Sequence, residues 1–192
     1  MIKPFVEFLF EYELSKDNVI PSSVREDDID HDQHKKMEMG DVDGHRVVHY
    51  KSKERGGSHY TFVTHQGETV GHIEHKPTKT ATHGRLAISN ITKTKGSHYS
   101  MGNVLHHMVK LGHPLETDNT NTEHGAHHMF MKFAKRPDIN TKIEDGKGKT
   151  IPHEGDITSP ENQKKYTVKH TDKNFLAPGD HTHKHILVFS KK

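Results

Sequence analysis

The sequence predicts a single α/β or α+β domain, because four strand-like patterns are followed by alternating helical and strand patterns. The chain has 192 residues, of which 29% are hydrophobic and 28% charged. That composition allows one hydrophobic core with part of the chain outside it. The absence of cysteine excludes a disulfide framework, thiolate zinc sites and a cysteine nucleophile. No apolar run approaches the roughly 18 residues of a membrane span, so no membrane partner is expected.

The amino-terminal segment, residues 1–17, is aromatic and lies within the first 30 residues, which contain no histidine. Its apolar residues recur at helical spacing after Pro4, which suits a first helical turn, so the pattern predicts a terminal helix. Residues 18–44 are acidic and polar, which predicts a linker. The folded domain is therefore expected to span residues 45–192.

Four segments with β-type composition, bounded by turn residues, predict the first strands of this domain. Arg55-Gly56-Gly57 and Gln66-Gly67 are the turns that separate the first three. The predicted strands are residues 45–51, 58–64, 69–74 and 84–92.

Beyond residue 100 the apolar residues recur at helical spacing. Asn103 is predicted to cap a first helix that ends at Gly112, and Pro137 to end a second helix. A short strand separates the helices, and a lysine- and glycine-rich loop precedes two closing strands. The predicted segments are the first helical stripe Val104, Leu105, Met108, Val109 and Leu111, the strand 113–117, the second stripe Ala126, Met129, Phe130 and Phe133, the loop 138–165, and the strands 165–169 and 183–190.

Three short motifs within residues 58–136 resemble the GNAT acyltransferase family. Gln66–Gly71 is similar to the family's hairpin that ends in a hydrophobic residue and glycine, and Gly102–Leu105 to the end of its pyrophosphate loop. Residues 126–132 are similar to its closing helix, with the pattern A-x-x-F-Y-x-K. The resemblance implies a mixed, mainly antiparallel sheet flanked by helices, with a splayed fourth strand.

The same resemblance implies acetyl-CoA as the cofactor and acyl transfer to an amine as the reaction. In this family the loop amides and the helix N-terminus hold the pyrophosphate, and the splayed strand offers backbone groups to the pantetheine. The implied cofactor-binding residues are Ile91 and Thr92 on the strand and Ser100, Met101, Gly102 and Asn103 in the loop.

The chain departs from the family pattern at the loop and at the closing helix. Ser97 and Ser100 stand where the family has a basic or amide residue and a glycine. Phe130 replaces a tyrosine that often acts as general acid, and phenylalanine has no proton to give. An N-acetyltransferase and a non-catalytic protein of the same fold therefore both stay open. The candidate bases for the amine are Glu74, His72 and His98.

Pro4–Glu11 resembles the capsid-targeting leader of internal head proteins in T-even-type tailed phages. The prohead protease of these phages cuts after the triplet [IL]-x-E, which Leu9, Phe10 and Glu11 match. The resemblance implies a packaged protein that begins at Tyr12, resides in the virion interior and reaches the host cytoplasm. Its implied partners are the phage capsid or prohead core, and DNA or a host protein.

Histidine accounts for 21 residues, so charge, solubility and DNA contact are expected to change between about pH 7 and pH 5.5. Most of these histidines are interpreted as polar surface residues, and a bound metal is not the main expectation. A third function stays open, because His181, His183 and His185 would share one face of a strand and could hold zinc or nickel. A basic face for nucleic acid is a further alternative, formed by Lys93, Lys95, Lys110, Lys132, Lys135 and Arg136.

Overall fold

The fold is mixed α+β, as predicted, with one mainly antiparallel sheet and α-helices packed on it. The structure is a computed structural model. It describes residues 12–14, 24–76, 85–94, 96–117, 127–145, 147–167 and 185–192.

Nine strands and three α-helices lie in the described residues, together with one 3₁₀ turn at Glu26–Asp28. The strands are β1 (Tyr12–Leu14), β2 (His34–Val42), β3 (His45–Ser52), β4 (His59–His65), β5 (Glu68–Lys76), β6 (Leu86–Thr94), β7 (Leu115–Thr117), β8 (Ile139–Asp145) and β9 (His185–Lys191). The helices are α1 (Met101–Lys110), α2 (His127–Ala134) and α3 (Pro160–Tyr166).

The strand order is β2-β3-β4-β5-β6-β7-β9-β8, and β1 adds to β6. Neighbours are antiparallel except for β6 with β7 and β6 with β1, which are parallel. The closing strands therefore extend the sheet, because β9 pairs with both β7 and β8.

Two tight hairpins shape the first half of the sheet. Asp43 and Gly44 join β2 to β3 with φ values of 53° and 75°, and Gln66 and Gly67 join β4 to β5 with 52° and 83°. Positive φ at both central residues is the type I′ geometry, whose twist matches that of the paired strands. The turn predicted at Gln66-Gly67 is thus confirmed.

The main core lies between one face of the sheet and the helices. Val104, Leu105 and Met108 of α1 are fully buried there, which confirms the predicted helical stripe at these positions. Leu111 is the exception, since it lies past the helix end and is 50% exposed. A smaller cluster on the opposite face lies beside the 3₁₀ turn and consists of Ile29, Val48, Tyr50 and Phe62.

Two amino-terminal predictions are wrong where the structure describes the chain. Tyr12–Leu14 form a strand instead of the end of a helix, while residues 1–11 and 15–17 lie outside the described residues. Residues 34–42 of the predicted linker form edge strand β2. Most residues of β2 are polar and face solvent, and Met39 and Val42 are buried. Because the strand lies at the edge of the sheet, its composition resembles that of a linker.

The predicted loop 138–165 is also wrong, because it contains β8 and most of α3. Lys165 and Tyr166 end α3 and do not begin a strand. Both elements are short and mostly polar, so their sequence periodicity is weak. The cap of α1 is Ser100 and not Asn103, since the Ser100 hydroxyl accepts from the Asn103 N–H.

Candidate functional site

Strand β6 changes partners along one edge. Strand β5 occupies one edge of β6 from Ala87 to Lys93. On the other edge, β7 pairs only with Leu86–Ile88, and β1 pairs with Thr92–Thr94. Because a strand has only two edges, β1 lies on the edge that β7 has left. Residues of the chain itself therefore cover part of the gap where β6 and β7 separate.

Helix α1 begins at the end of this gap, and its N-terminus already holds a carboxylate. Asp43 Oδ2 accepts hydrogen bonds from the Ser100 N–H at 3.0 Å and from Asn103 Nδ2 at 3.0 Å. These hydrogen bonds lower the pKa of Asp43. A helix N-terminus favours an anion, and here the hairpin between β2 and β3 supplies that anion.

A series of hydrogen bonds through Arg136, His106 and Asp138 fixes the orientation of Asn103. Arg136 Nη2 donates to Asn103 Oδ1 at 2.7 Å, and Arg136 Nη1 lies 2.9 Å from His106 Nδ1. A guanidinium only donates, so His106 Nδ1 accepts and its Nε2 carries the hydrogen. That Nε2 lies 2.7 Å from Asp138 Oδ2. The start of α1 is thereby tied both to Asp43 and to the chain after α2.

The structure brings Ser100, Met101, Gly102 and Asn103 together at the first turn of α1 and places Ile91 and Thr92 on β6. Thr92 Oγ1 is 2.6 Å from His72 Nδ1, and both side chains are buried. Phe130 is buried and stacks on Phe189, as a core residue would.

The three candidate bases have different environments. Burial lowers the pKa of His72, and its Nδ1 is hydrogen-bonded to Thr92 Oγ1. Glu74 accepts from the Ser58 hydroxyl and pairs with Lys76. His98 is exposed on the segment before α1. None of the three is in a described contact with the first turn of α1.

A cluster of histidines that sequence reasoning missed lies on β3, β4 and β5, beside the residue His113 that follows α1. Thr61 Oγ1 links His49 Nδ1 at 2.9 Å to His75 Nε2 at 3.0 Å. The His49 ring centroid lies 5.8 Å from that of His59 and 6.0 Å from that of His113. The available signal was a histidine two residues after a β-branched apolar residue, His49 after Val47 on β3 and His75 after Ile73 on β5.

Burial favours the neutral form of these imidazoles. Burial lowers the pKa of His49 to about 3, and repulsion from His59, His113 and Lys51 adds to it. The pKa of His75 is lowered well below the usual value for the same reasons, burial first. Burial also lowers the pKa of His59 and of His113.

The predicted metal site falls mostly outside the described residues, which include His185 but not His181 or His183. His185 Nδ1 lies 3.0 Å from the Lys165 carbonyl oxygen. Within the part of the chain that the structure describes, no three histidine or carboxylate side chains are placed to hold a metal ion.

The predicted basic face does not form one free surface. Lys93 Nζ lies 5.1 Å from the Tyr99 ring centroid, and Lys110 pairs with Asp138. Arg136 is held by Asn103 and His106, as described above. Lys132 on α2 and Lys135 just after it are exposed, and Lys95 lies outside the described residues.

Comparison of the chain with protein-family models, with curated proteins and with solved structures found no match. Among the helices in the described ranges, none is long and apolar enough to span a bilayer.

Proposed function

We propose that this chain is a non-catalytic internal head protein of a tailed phage, which keeps a GNAT-like domain and acts by binding DNA or a host protein. The proposal depends on one observation: the Asp43 carboxylate accepts hydrogen bonds from the Ser100 N–H and from the side-chain amide of Asn103. A pyrophosphate at that helix N-terminus would have to displace it and would be repelled by it.

Three further observations support the same proposal. Strand β1 adds to β6 in parallel, where an extended cofactor arm would otherwise pair with the strand. Phe130 is packed in the core and has no hydroxyl to protonate a leaving thiolate. The leader motif that ends at Glu11 supports transport to the head interior.

The first prediction concerns acetyl-CoA. The full chain is expected to show no binding in isothermal titration with acetyl-CoA at up to about 1 mM, a range that detects free energies near −4 kcal/mol. A dissociation constant below that concentration would contradict the non-catalytic proposal.

Acyl transfer is a second candidate, because β7 leaves β6 after Ile88 and α1 begins beside the gap. The two groups that close the gap are peripheral. They are the three-residue strand β1 and the exposed carboxylate of Asp43. On this alternative the site is latent, and acetyl-CoA binds once both groups are moved.

The same titration with a triple variant, Tyr12→Pro, Glu13→Pro and Asp43→Asn, separates the two candidates. The N–H groups of successive strand residues point to opposite edges, so either Tyr12 or Glu13 donates towards β6. Proline at both positions therefore removes that donor. The control variant Tyr12→Ala, Glu13→Ala and Asp43→Asn keeps both amides. Binding by the proline variant alone would favour the latent enzyme, and the non-catalytic proposal expects neither variant to bind.

The second prediction concerns the leader. In particles, the packaged protein is expected to begin at Tyr12, which peptide mass spectrometry of purified virions would detect. Glu11→Gln should block this cut, whereas Glu13→Gln removes the same charge two residues later and should leave it intact. Packaged protein that still carries Met1 would refute cleavage after Glu11.

A further inference from the structure

Four basic side chains lie in register across β2, β3, β4 and β5. Lys35 is the strand partner of Lys51, and His59 is the partner of His75. Tyr50 pairs with Tyr60, so the next antiparallel step places Lys51 opposite His59. Directly opposite residues point to the same face of a sheet, so the four side chains form one row, here called the basic row.

The basic row runs from solvent into the core. Lys35 and Lys51 are exposed, His59 is half-buried and His75 is 1% exposed. Two like charges directly opposite each other on neighbouring strands destabilise a sheet. A bound anion would reverse that effect, because it is attracted to both ammonium groups.

The groups that face the basic row are cationic or titratable bases. They are His49, two residues before Lys51 on β3, and His113 after α1, whose ring centroid lies 6.0 Å from that of His49. His34 and His72 are the strand partners of Ser52 and Phe62, so they lie on the opposite face. The nearest carboxylate along the chain is Glu74, next to His75. It is the strand partner of Tyr60, so it lies on the opposite face, where it pairs with Lys76.

Two imidazole nitrogens of the row lack a hydrogen-bond partner. His59 Nδ1 and His75 Nδ1 are buried and make no hydrogen bond in the structure. Buried polar atoms of this kind are uncommon, because each forfeits the hydrogen bonds that water would give it. An incoming anionic oxygen at the half-buried His59 would supply an acceptor once the ring is protonated.

We propose that the basic row and the neighbouring His113 bind the phosphate backbone of nucleic acid, through Lys35 and Lys51 at neutral pH and through His59 and His113 as well in acid. This inference builds on the binding role proposed above and assigns its partner. Neighbouring strands are about 4.8 Å apart, so Lys35, Lys51 and His59 span about 10 Å. Each strand of B-DNA presents a phosphate about every 3.4 Å of helix axis, so about three phosphates fall within that span.

The binding is expected to be coupled to proton uptake. A phosphate beside His59 or His113 stabilises the charged imidazole and so opposes the effect of burial on its pKa. Affinity should therefore rise as pH falls from about 7.5 to about 6, while the fold is still intact.

Fluorescence anisotropy with a labelled DNA duplex of about 20 base pairs tests this surface on the full chain. Lys35→Gln with Lys51→Gln should weaken binding about tenfold at about 50 mM salt and lower the salt slope by about two. The control Lys147→Gln with Lys149→Gln removes the same charge after β8, at the other end of the sheet, and should change affinity less than about twofold.

A second pair of variants tests the proton coupling. His59→Gln with His113→Gln should flatten the rise in affinity between about pH 7.5 and pH 6, whereas the exposed His128→Gln should not. Far-ultraviolet circular dichroism confirms that each variant is folded.

Three outcomes would overturn the inference: no DNA binding at about 100 μM protein, equal weakening by both lysine pairs, or an unchanged pH response in the histidine pair. None of these outcomes affects the acetyl-CoA titration. The experiments can therefore refute DNA binding by the basic row without refuting the non-catalytic proposal, and the reverse.

Discussion

Lowering the pH from about 7 to about 5 is expected to remove several kcal/mol from the free energy of unfolding. Five histidines have a folded pKa below the unfolded value of 6.5: His49, His59, His72, His75 and His113. The unfolded chain binds more protons below pH 6.5, so their stabilising contribution is present above that pH and is lost as pH falls towards the folded pKa. His49, at about 3, contributes a loss of about 2 kcal/mol by about pH 5.

Urea unfolding at a series of pH values measures this loss, and His49→Asn isolates its origin. Asparagine keeps a polar atom near the Thr61 hydroxyl but does not titrate. The slope of stability against pH below 6.5 should fall by about 1.4 kcal/mol per pH unit. The exposed His128→Asn is the matched control, and an equal slope in both variants would contradict the buried-cluster origin.

Arg85→Met is expected to destabilise the fold by about 3–5 kcal/mol. The Arg85 side chain is 8% exposed, pairs with Glu144 on β8 and lies 3.6 Å from Glu116 on β7. Methionine fills a similar volume but removes the cation that these two buried carboxylates share. The cost of an uncompensated buried charge, and not lost packing, therefore dominates the expected effect.

The shift of the urea midpoint measures this cost, and a second substitution tests its electrostatic origin. Adding Glu144→Gln to Arg85→Met should recover at least about 1 kcal/mol, since it removes one of the buried charges. Lys110→Met breaks the exposed pair with Asp138 and should cost less than about 0.5 kcal/mol. Similar losses in Arg85→Met and Lys110→Met would contradict the interpretation.

Composition and periodicity explain which elements could be predicted from the sequence. Strands β3 to β6 are rich in β-branched and aromatic residues between turns, and α1 has an apolar stripe, so both types were found within a few residues of their ends. Edge strands β2 and β8 were missed, because an edge strand has polar residues on its exposed side and little pattern. Strand β1 has three residues, too few for any period to show.

The candidate site was predicted in part. Ser100–Asn103 do lie at a helix N-terminus, because glycine and serine before an apolar stripe mark such an end. That Asp43 would supply its anion could not be predicted, since the two segments are 57 residues apart and meet only through tertiary packing. The basic row and the histidine cluster depend on strand register, which a single sequence does not give.

The change of partners along β6 also has a mechanical consequence. In the described part of the sheet, β2 to β6 form one block and β7 to β9 form another, and the strand pairs that join them are the three between Leu86–Ile88 and Leu115–Thr117. Strand β1 lies in this seam but pairs with one block alone. Under tension the sheet should therefore part along this seam, and α1, which contacts β2 in one block and β9 in the other, would resist the separation.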